Sequence, residues 1–330
     1  MKMIPRINKF GQRAAFGLIF RQMMENDEKL VICSADTSTS GGLDRCKKDF
    51  PNRVIEVGIG EQNLVGIACG LSVEGWTSFA ATFAPFMTLR CLEQLKVLGA
   101  YNRIPIKIVG YASGLALIDL GYTHCGIEDI AVIRAIGDFD IVAPSDCVSL
   151  SKLLPQVATS SASTYVRLTG GSPSVEIYEA DGSFRGSSFS HSVGNFNHLI
   201  HGHDVLVIAN GIGVYNSLVA IDELSPYHPN RVGLIDVYHF SNKVIDDLRT
   251  AITQSGRLLI VEEHRRVGGL AEFITSKCMP INDFKPYKHA CIRDGFAHAI
   301  DHQTALEEND LSAASLKKLI LELLEDDEVN

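Results

Sequence analysis

The stretch "RVIEVGIGEQNLVGIACG", residues 53–70, decides how this chain folds. A short β-rich run, "RVIEVG", meets a glycine-rich turn and then a helix-like pattern of small apolar residues. A strand that runs through a tight turn into a buried helix is the building unit of a parallel sheet. One charged residue, Glu61, stands where the helix begins, and the next is Glu74. The plain reading of Glu61 is an anion in a helix's first turn, where the backbone dipole favours negative charge. The other reading is a carboxylate held out of water to handle a proton. The stretch by itself leaves both open.

The same alternation extends in both directions. Strand-like runs occur at 29–36, 77–83, 104–111, 138–145 and 163–169, with helical patterns between most of them, for example 85–103 and 127–136. Their continuous apolar character implies strands covered on both faces. From about 170 the pattern lapses into "GGSPSVEIYEADGSFRGSS", rich in Gly and Ser. Turn signals and few large apolar side chains mark a linker there. A second alternation follows, with strands at 204–211, 231–238, 257–264 and 285–292 and a last helix near 312–326. The expected fold class is therefore α/β with two doubly wound domains. A larger parallel-sheet domain spans 1–170, a linker 171–203, and a smaller C-terminal α/β domain 204–330.

Composition narrows the function. The chain is 330 residues long, 46% hydrophobic and 21% charged, with a formal net charge of -9 and no Lys/Arg-rich run. Nucleic acid and anionic membrane are excluded as expected partners. No stretch approaches the length needed to span a bilayer. The "RAAFGLIF" segment near the N-terminus is short, lacks a small-residue cleavage site and reads as an amphipathic helix. Eight cysteines are scattered without a C-x-x-C pair, mostly inside apolar runs. They read as small buried hydrophobes in a reducing, cytoplasmic compartment, with no metal site of their own.

Ligands of open parallel sheets bind at the carboxyl ends of the strands. In the first domain those loops are "SADTSTSGG", "GIGEQN", "ATFAPF", "GYASGLALIDLGYTHC" and "APSD". They are the polar, Gly-rich or aromatic pieces of an otherwise plain chain, and they share one edge. Within "TFAPF", Phe83 and Phe86 stand three apart at a helix start, a spacing that puts both on one face. His124 lies in a long loop of mixed composition, away from any apolar stripe. Glu128 and Asp129 open the next helix, where acidic residues suit the dipole.

In this order and content the loops resemble the pyrimidine-binding domain of the transketolase family. The similarity is greatest to the separately encoded C-terminal halves of such enzymes. "HGHDVLVIANG", "RVGLIDV" and "LLIVEEHRRVGGLAEFI" resemble the family's C-terminal domain, so the likeness covers roughly residues 10 to 300. It implies thiamine diphosphate as cofactor. On that reading Glu61 contacts a nitrogen of the aminopyrimidine ring and promotes loss of the thiazolium proton. A carboxylate in a dry site is suited to sharing a proton with a heterocycle. Phe86 would stack on the ring, Phe83 would line its pocket and Asp36 would lie close to the cofactor. His124 aligns with the active-site histidine that contacts cofactor-bound substrate. Arg167 and Ser40 map onto phosphate-contacting positions of transketolases.

The departures from the family pattern are local. Leu120 precedes Gly121 where an aspartate that reads an acceptor hydroxyl is usual, and Asp119 is out of register. Ala112 stands where histidine is common, and Cys125 where glutamine is. The donor side looks intact, the acceptor side altered. No "GDG" with an Asn-containing sequel occurs, so the diphosphate and its Mg2+ or Ca2+ are expected on a partner chain. That partner would be an N-terminal diphosphate-binding subunit, in a two-fold symmetric heterotetramer. The expected activity is transfer of a two-carbon ketol unit from a ketose or its phosphate to an aldehyde or ketone. The alternatives are the beta subunit of a 2-oxo-acid dehydrogenase decarboxylase and a non-catalytic partner of the same fold.

Overall fold

The structure, a computed structural model, describes residues 4, 6–169, 174–279, 285–295 and 298–325. Residues 171–173 of the expected linker and residue 326 of the expected last helix lie outside that set.

In the first half the elements follow one another as α1 (Gln12–Asn26), β1 (Leu30–Ser34), α2 (Asp44–Asp49), β2 (Val54–Glu56), α3 (Glu61–Val73) and β3 (Thr77–Phe83). After β3 comes one long helical stretch in which α4 (Leu92–Gln94) is flanked by π-helical turns at Phe86–Arg90 and Leu95–Tyr101. Then come β4 (Lys107–Ser113), α5 (Asp129–Ile136), β5 (Phe139–Val142), α6 (Cys147–Thr159) and β6 (Ser163–Thr169). The second half holds β7 (Asn197–Ile200), β8 (Val205–Ala209), α7 (Ile212–Leu224), β9 (Val232–Asp236) and β10 (His239–Phe240). It continues with α8 (Ile245–Thr253), β11 (Arg257–Arg265), α9 (Leu270–Lys277), β12 (Tyr287–Ile292), α10 (His302–Glu308) and α11 (Ala313–Glu325).

The first sheet has the order β10-β5-β6-β4-β3-β1-β2, and the second β12-β11-β8-β9-β7. Both are parallel except at an edge, where β10 runs antiparallel to β5 and β7 antiparallel to β9. Every residue of β1, β4, β6, β8 and β9 is buried. That is why β1, β8 and β9 read as nearly continuous apolar runs, while β4 and β6 also bury Lys107 and Arg167. Alternate residues supply opposite faces: Ile32 and Phe79 join one core cluster, Cys33 and Ala80 the other. Both clusters run on into the second sheet, through Val207 and Val261 on one side and Ile208 and Ile260 on the other.

Two departures from the sequence reading are informative. The stretch expected to be a linker contains β7, whose Asn197 pairs with Asp236. Strand β10 follows β9 in the chain yet completes the first sheet, with His239 opposite Val142. The two sheets are thus stitched together by strand pairing as well as by packing. All eight cysteines are buried free thiols, and burial pushes Cys33 and Cys147 up to about 12. Among the described residues no helix is long and apolar enough to cross a membrane.

Candidate functional site

The strand order places the carboxyl ends of β4, β3, β1 and β2 side by side. Glu61 is the first residue of α3, directly after the β2 turn, and is 5% exposed. Its Oε1 accepts from Arg90 Nη1 at 2.5 Å. Its Oε2 carries no hydrogen bond among the described residues. Gly60 precedes it as N-cap without a capping side chain, so the carboxylate itself is the anion at the helix's positive end.

Phe83 ends β3 and Phe86 opens the π-helical turn beyond it. Their rings stand 6.2 Å apart, edge to face, and His124 is 6.2 Å from Phe83 and 5.3 Å from Phe86. Arg90 lies 4.2 Å over the Phe86 ring while it holds Glu61. The wider π turn carries both Phe86 and Arg90, and such turns recur at functional sites. A half-buried aromatic pair and an imidazole therefore stand together, and Arg90 links Phe86 to the buried carboxylate. Such a donor set fits a flat heteroaromatic ring that shares a proton, as thiamine diphosphate would: Glu61 for a ring nitrogen, Phe86 and Phe83 for the ring face.

His124 sits on a loop that leaves β4 and returns to α5. The neck of this loop is closed by Gly114 N–H to Gly126 O at 2.9 Å and Gly126 N–H to Gly114 O at 3.1 Å. Inside it, His124 N–H bonds Gly121 O, and Thr123 Oγ1 lies 3.1 Å from His124 Nδ1. Compact loops with closed necks are a common carrier of function.

The remaining expected residues divide. Asp36 stands exposed at the end of β1 with a left-handed backbone, φ 54°. Its N–H donates to Glu56 Oε1 at 2.5 Å, and Ser38 Oγ donates to Glu56 Oε2 at 2.5 Å. Asp36 is thus on the site's edge, but its side chain makes no hydrogen bond or ion pair among the described residues. Ser40 is exposed in the turn that follows.

Arg167 is elsewhere. It is fully buried in β6, with Nε 2.8 Å from Asp129 Oδ2 and Nη2 donating to Glu263 O at 2.9 Å and Gly126 O at 3.4 Å. A guanidinium enclosed in this way has no face to offer a substrate phosphate, and the expected phosphate contact is withdrawn. Its partner Asp129 also accepts from Tyr165 OH at 2.7 Å, so it does more than open a helix.

Sequence reasoning missed three participants. Arg90 is an unremarkable cation at a helix-like position, and only the π turn aims it at Glu61. Glu56 has the signal of a charged residue at a strand end, and its role in tying the β1 and β2 loops needs the sheet. Arg265 reaches from β11 to Glu128 Oε1 at 2.8 Å and Tyr122 OH at 3.1 Å, across nearly half of the sequence. A cavity of about 550 Å³ lies far from this edge, at the amino ends of β5 and β6, lined by Arg103, Arg134 and Asp138.

Comparison with known proteins agrees with this fold. The family model described as transketolase, pyrimidine binding domain, matches residues 8–172, and that for the transketolase C-terminal domain matches residues 194–312. The chain is similar to one of the subunits of the apulose-4-phosphate transketolase of Phocaeicola vulgatus, with 32% identity over 81% of this chain and 83% of the relative. It is also similar to the 6-deoxy-6-sulfo-D-fructose transketolase subunit SqwH of Clostridium sp., with 28% identity over 82% and 81%. Among solved structures, a split gene transketolase described as an inactive beta4 tetramer superposes with a TM-score of 0.82 and 25% identity, covering 96% of this chain and 98% of that one. The transketolase of Campylobacter jejuni shares the fold at a TM-score of 0.76 and 18% identity, with 97% of this chain matching 49% of that one.

Proposed function

We propose a function from one premise: the chain belongs to the transketolase family. It is the pyrimidine-binding and C-terminal subunit of a two-chain, thiamine-diphosphate-dependent enzyme that moves a two-carbon ketol unit from a ketose to an aldehyde or ketone. The observation that carries this reading is the buried Glu61 carboxylate beside Phe83, Phe86 and His124. When bound, the cofactor supplies the nucleophilic carbon and the electron sink. This chain's residues do the rest. Glu61 holds a proton at the ring nitrogen, Phe86 and Phe83 seat the ring and keep water from it, and His124 donates to or takes a proton from substrate oxygen. Asp36 stands at the end of β1, in the loop that Glu56 ties to the β2 turn before Glu61.

The diphosphate and its metal, Mg2+ or Ca2+, would be held by an N-terminal subunit. The names of the relatives that match this chain over most of their length support that arrangement, as does the lack of a "GDG" motif. A two-fold assembly of both chains would place each site at an interface. Ser40 remains a candidate substrate contact at the exposed rim, and burial of Arg167 leaves substrate phosphate without its expected cation. The deciding experiment is to purify the chain with its N-terminal partner and assay ketol transfer with and without thiamine diphosphate and Mg2+. Cofactor-dependent transfer by the pair and none by either chain supports the reading. Turnover of a 2-oxo acid with no ketose activity, or no cofactor binding at all, overturns it.

A further inference from the structure

We propose that the end of β11, in the second domain, sets the position of the His124 loop, with Glu263 and Arg265 as positioning residues. The inference rests on the function proposed above, because it assumes that His124 meets substrate.

The loop's neck is gripped on both sides. Glu263 Oε1 accepts from Leu115 N–H at 3.1 Å, on the outgoing side. Arg265 N–H donates to Ile127 O at 2.9 Å, on the returning side. Two residues apart on one strand, Glu263 and Arg265 thus hold opposite sides of the closure formed by Gly114 and Gly126. The Arg265 side chain then reaches into the loop. Its Nε donates to Glu128 and its Nη2 to Tyr122 OH, which itself donates to Glu128 at 2.9 Å. Tyr122 is two residues from His124 within the same 3-10 turn. A rigid strand therefore fixes the turn that presents the imidazole.

The fit is close enough to dictate sequence. Gly114 has φ +71°, and a Cβ there would come within 2.2 Å of Glu263 Oε2. Glu263 is 2% exposed and its Oε1 also accepts from His302 Nε2 at 2.6 Å. Arg167 belongs to the same unit, donating to both Glu263 O and Gly126 O. Under the loop, Leu115, Ile118 and Ile127 face Ile292 and Ile300 across a cavity of about 420 Å³. The loop has room to shift, and the polar grip of β11 selects one position.

Hydrogen–deuterium exchange of the chain by itself tests the grip without any assumption about chemistry. Arg265→Met, and Glu128→Gln from the loop side, should speed exchange in the peptide spanning 114–128 about tenfold or more. Peptides in β1 and α3 should be unaffected. In the complex with the N-terminal subunit, Arg265→Met should lower kcat about tenfold and leave the thiamine diphosphate Kd within about twofold. Arg265→Lys, which keeps one donor, should recover part of both losses. Unchanged loop exchange in both variants overturns the proposal. So does a cofactor Kd that rises in step with the loss of kcat, since a general loosening would do that. A wild-type complex without ketol transfer overturns the function instead, and the exchange measurement still decides the grip.

Discussion

Arg90 and Glu61 form an ion pair of 2.5 Å in which the carboxylate is 5% exposed and the guanidinium 45%. The pair leans on Phe86, which the guanidinium covers at 4.2 Å. In the chain by itself the residue proposed to meet the cofactor already has a partner. A ring nitrogen that meets this carboxylate either takes Oε2, which carries no hydrogen bond among the described residues, or displaces the guanidinium from Oε1.

That competition can be measured. Arg90→Met should destabilise the chain by about 1 kcal/mol, since the cation is partly screened by water, and lower its melting temperature by about 2–4 °C. In the two-chain complex saturated with thiamine diphosphate the deficit should shrink to less than half, because the ring then accompanies the carboxylate. Thermal melts with and without cofactor give the answer. An equal deficit in both would show that Arg90 and the ring do not compete.

Substitution of the carboxylate should act on chemistry more than on folding. Glu61→Gln keeps the shape of the side chain and removes its charge, so turnover should fall at least about 10²-fold. The melting temperature of the complex should stay close to that of the wild type. Near-normal turnover in that variant would remove Glu61 from the reaction.

Arg167 should behave as a core residue. Removing one partner of a fully buried ion pair leaves the other charge uncompensated, and Arg167→Ala should cost about 3–5 kcal/mol in denaturant titrations. The result that contradicts this is a stable variant whose only defect is a raised KM for phosphorylated substrates.

Stability should depend on pH through the second domain. Burial works against a charge on His289, but its side-chain hydrogen bonds to Cys291 and Glu262 and the Glu262 charge outweigh it and raise the imidazole to about 9. Glu262 is displaced below its ordinary value of 4.5, although burial alone would raise it, because His289 and His264 hold its charge. The histidine's contribution is complete below its ordinary 6.5 and fades as pH rises through about 9. The carboxylate's contribution is present above 4.5 and fades as pH falls through its lower folded value. His302, raised by Glu263 against the opposing effect of burial, adds in the same direction as His289. His289→Gln should therefore be less stable than wild type near pH 6 by on the order of 2 kcal/mol, with the gap closing near pH 10. A gap independent of pH would mean that the pair is not ionic.

The acceptor side offers a gain-of-function test. Leu120 is 56% exposed on the His124 loop, at the position where the resemblance implies an acceptor-reading aspartate. Leu120→Asp should raise kcat/KM for polyhydroxylated aldehyde acceptors about tenfold, the worth of one hydrogen bond to a charged group. Competition assays between hydroxylated and deoxygenated acceptors would read the change. No shift in preference would place acceptor recognition away from this residue.

Much of the architecture is legible along the chain. The run at 77–83 and the run at 163–169 are strands over those residues, because their aromatic and β-branched residues between turn signals suit a pleated, buried segment. Glu61 was visible for a similar reason: a charge among glycines and small apolar residues has to be accounted for. The short pieces were not visible. Residues His239–Phe240 form a two-residue strand whose partner lies about a hundred positions earlier, and no local pattern encodes such a pairing. The stretch at 197–200 carries too few apolar side chains to stand out from its Ser-rich surroundings, and it is a strand because β9 offers an open edge.

By itself, the sequence singled out Glu61, Phe83, Phe86 and His124 as candidates and put their loops on one edge of the sheet. The alternation of strands and helices is local, and loops after parallel strands share one end. Tertiary structure alone decided their partners. Arg167 and Arg90 are both arginines close to a strand or helix boundary. One is enclosed by Asp129 and the carbonyls of Gly126 and Glu263, and the other is left at the surface to hold Glu61. Long-range packing sets the desolvation and the distance that separate a structural cation from one at the site, and neither quantity is written in the residue type.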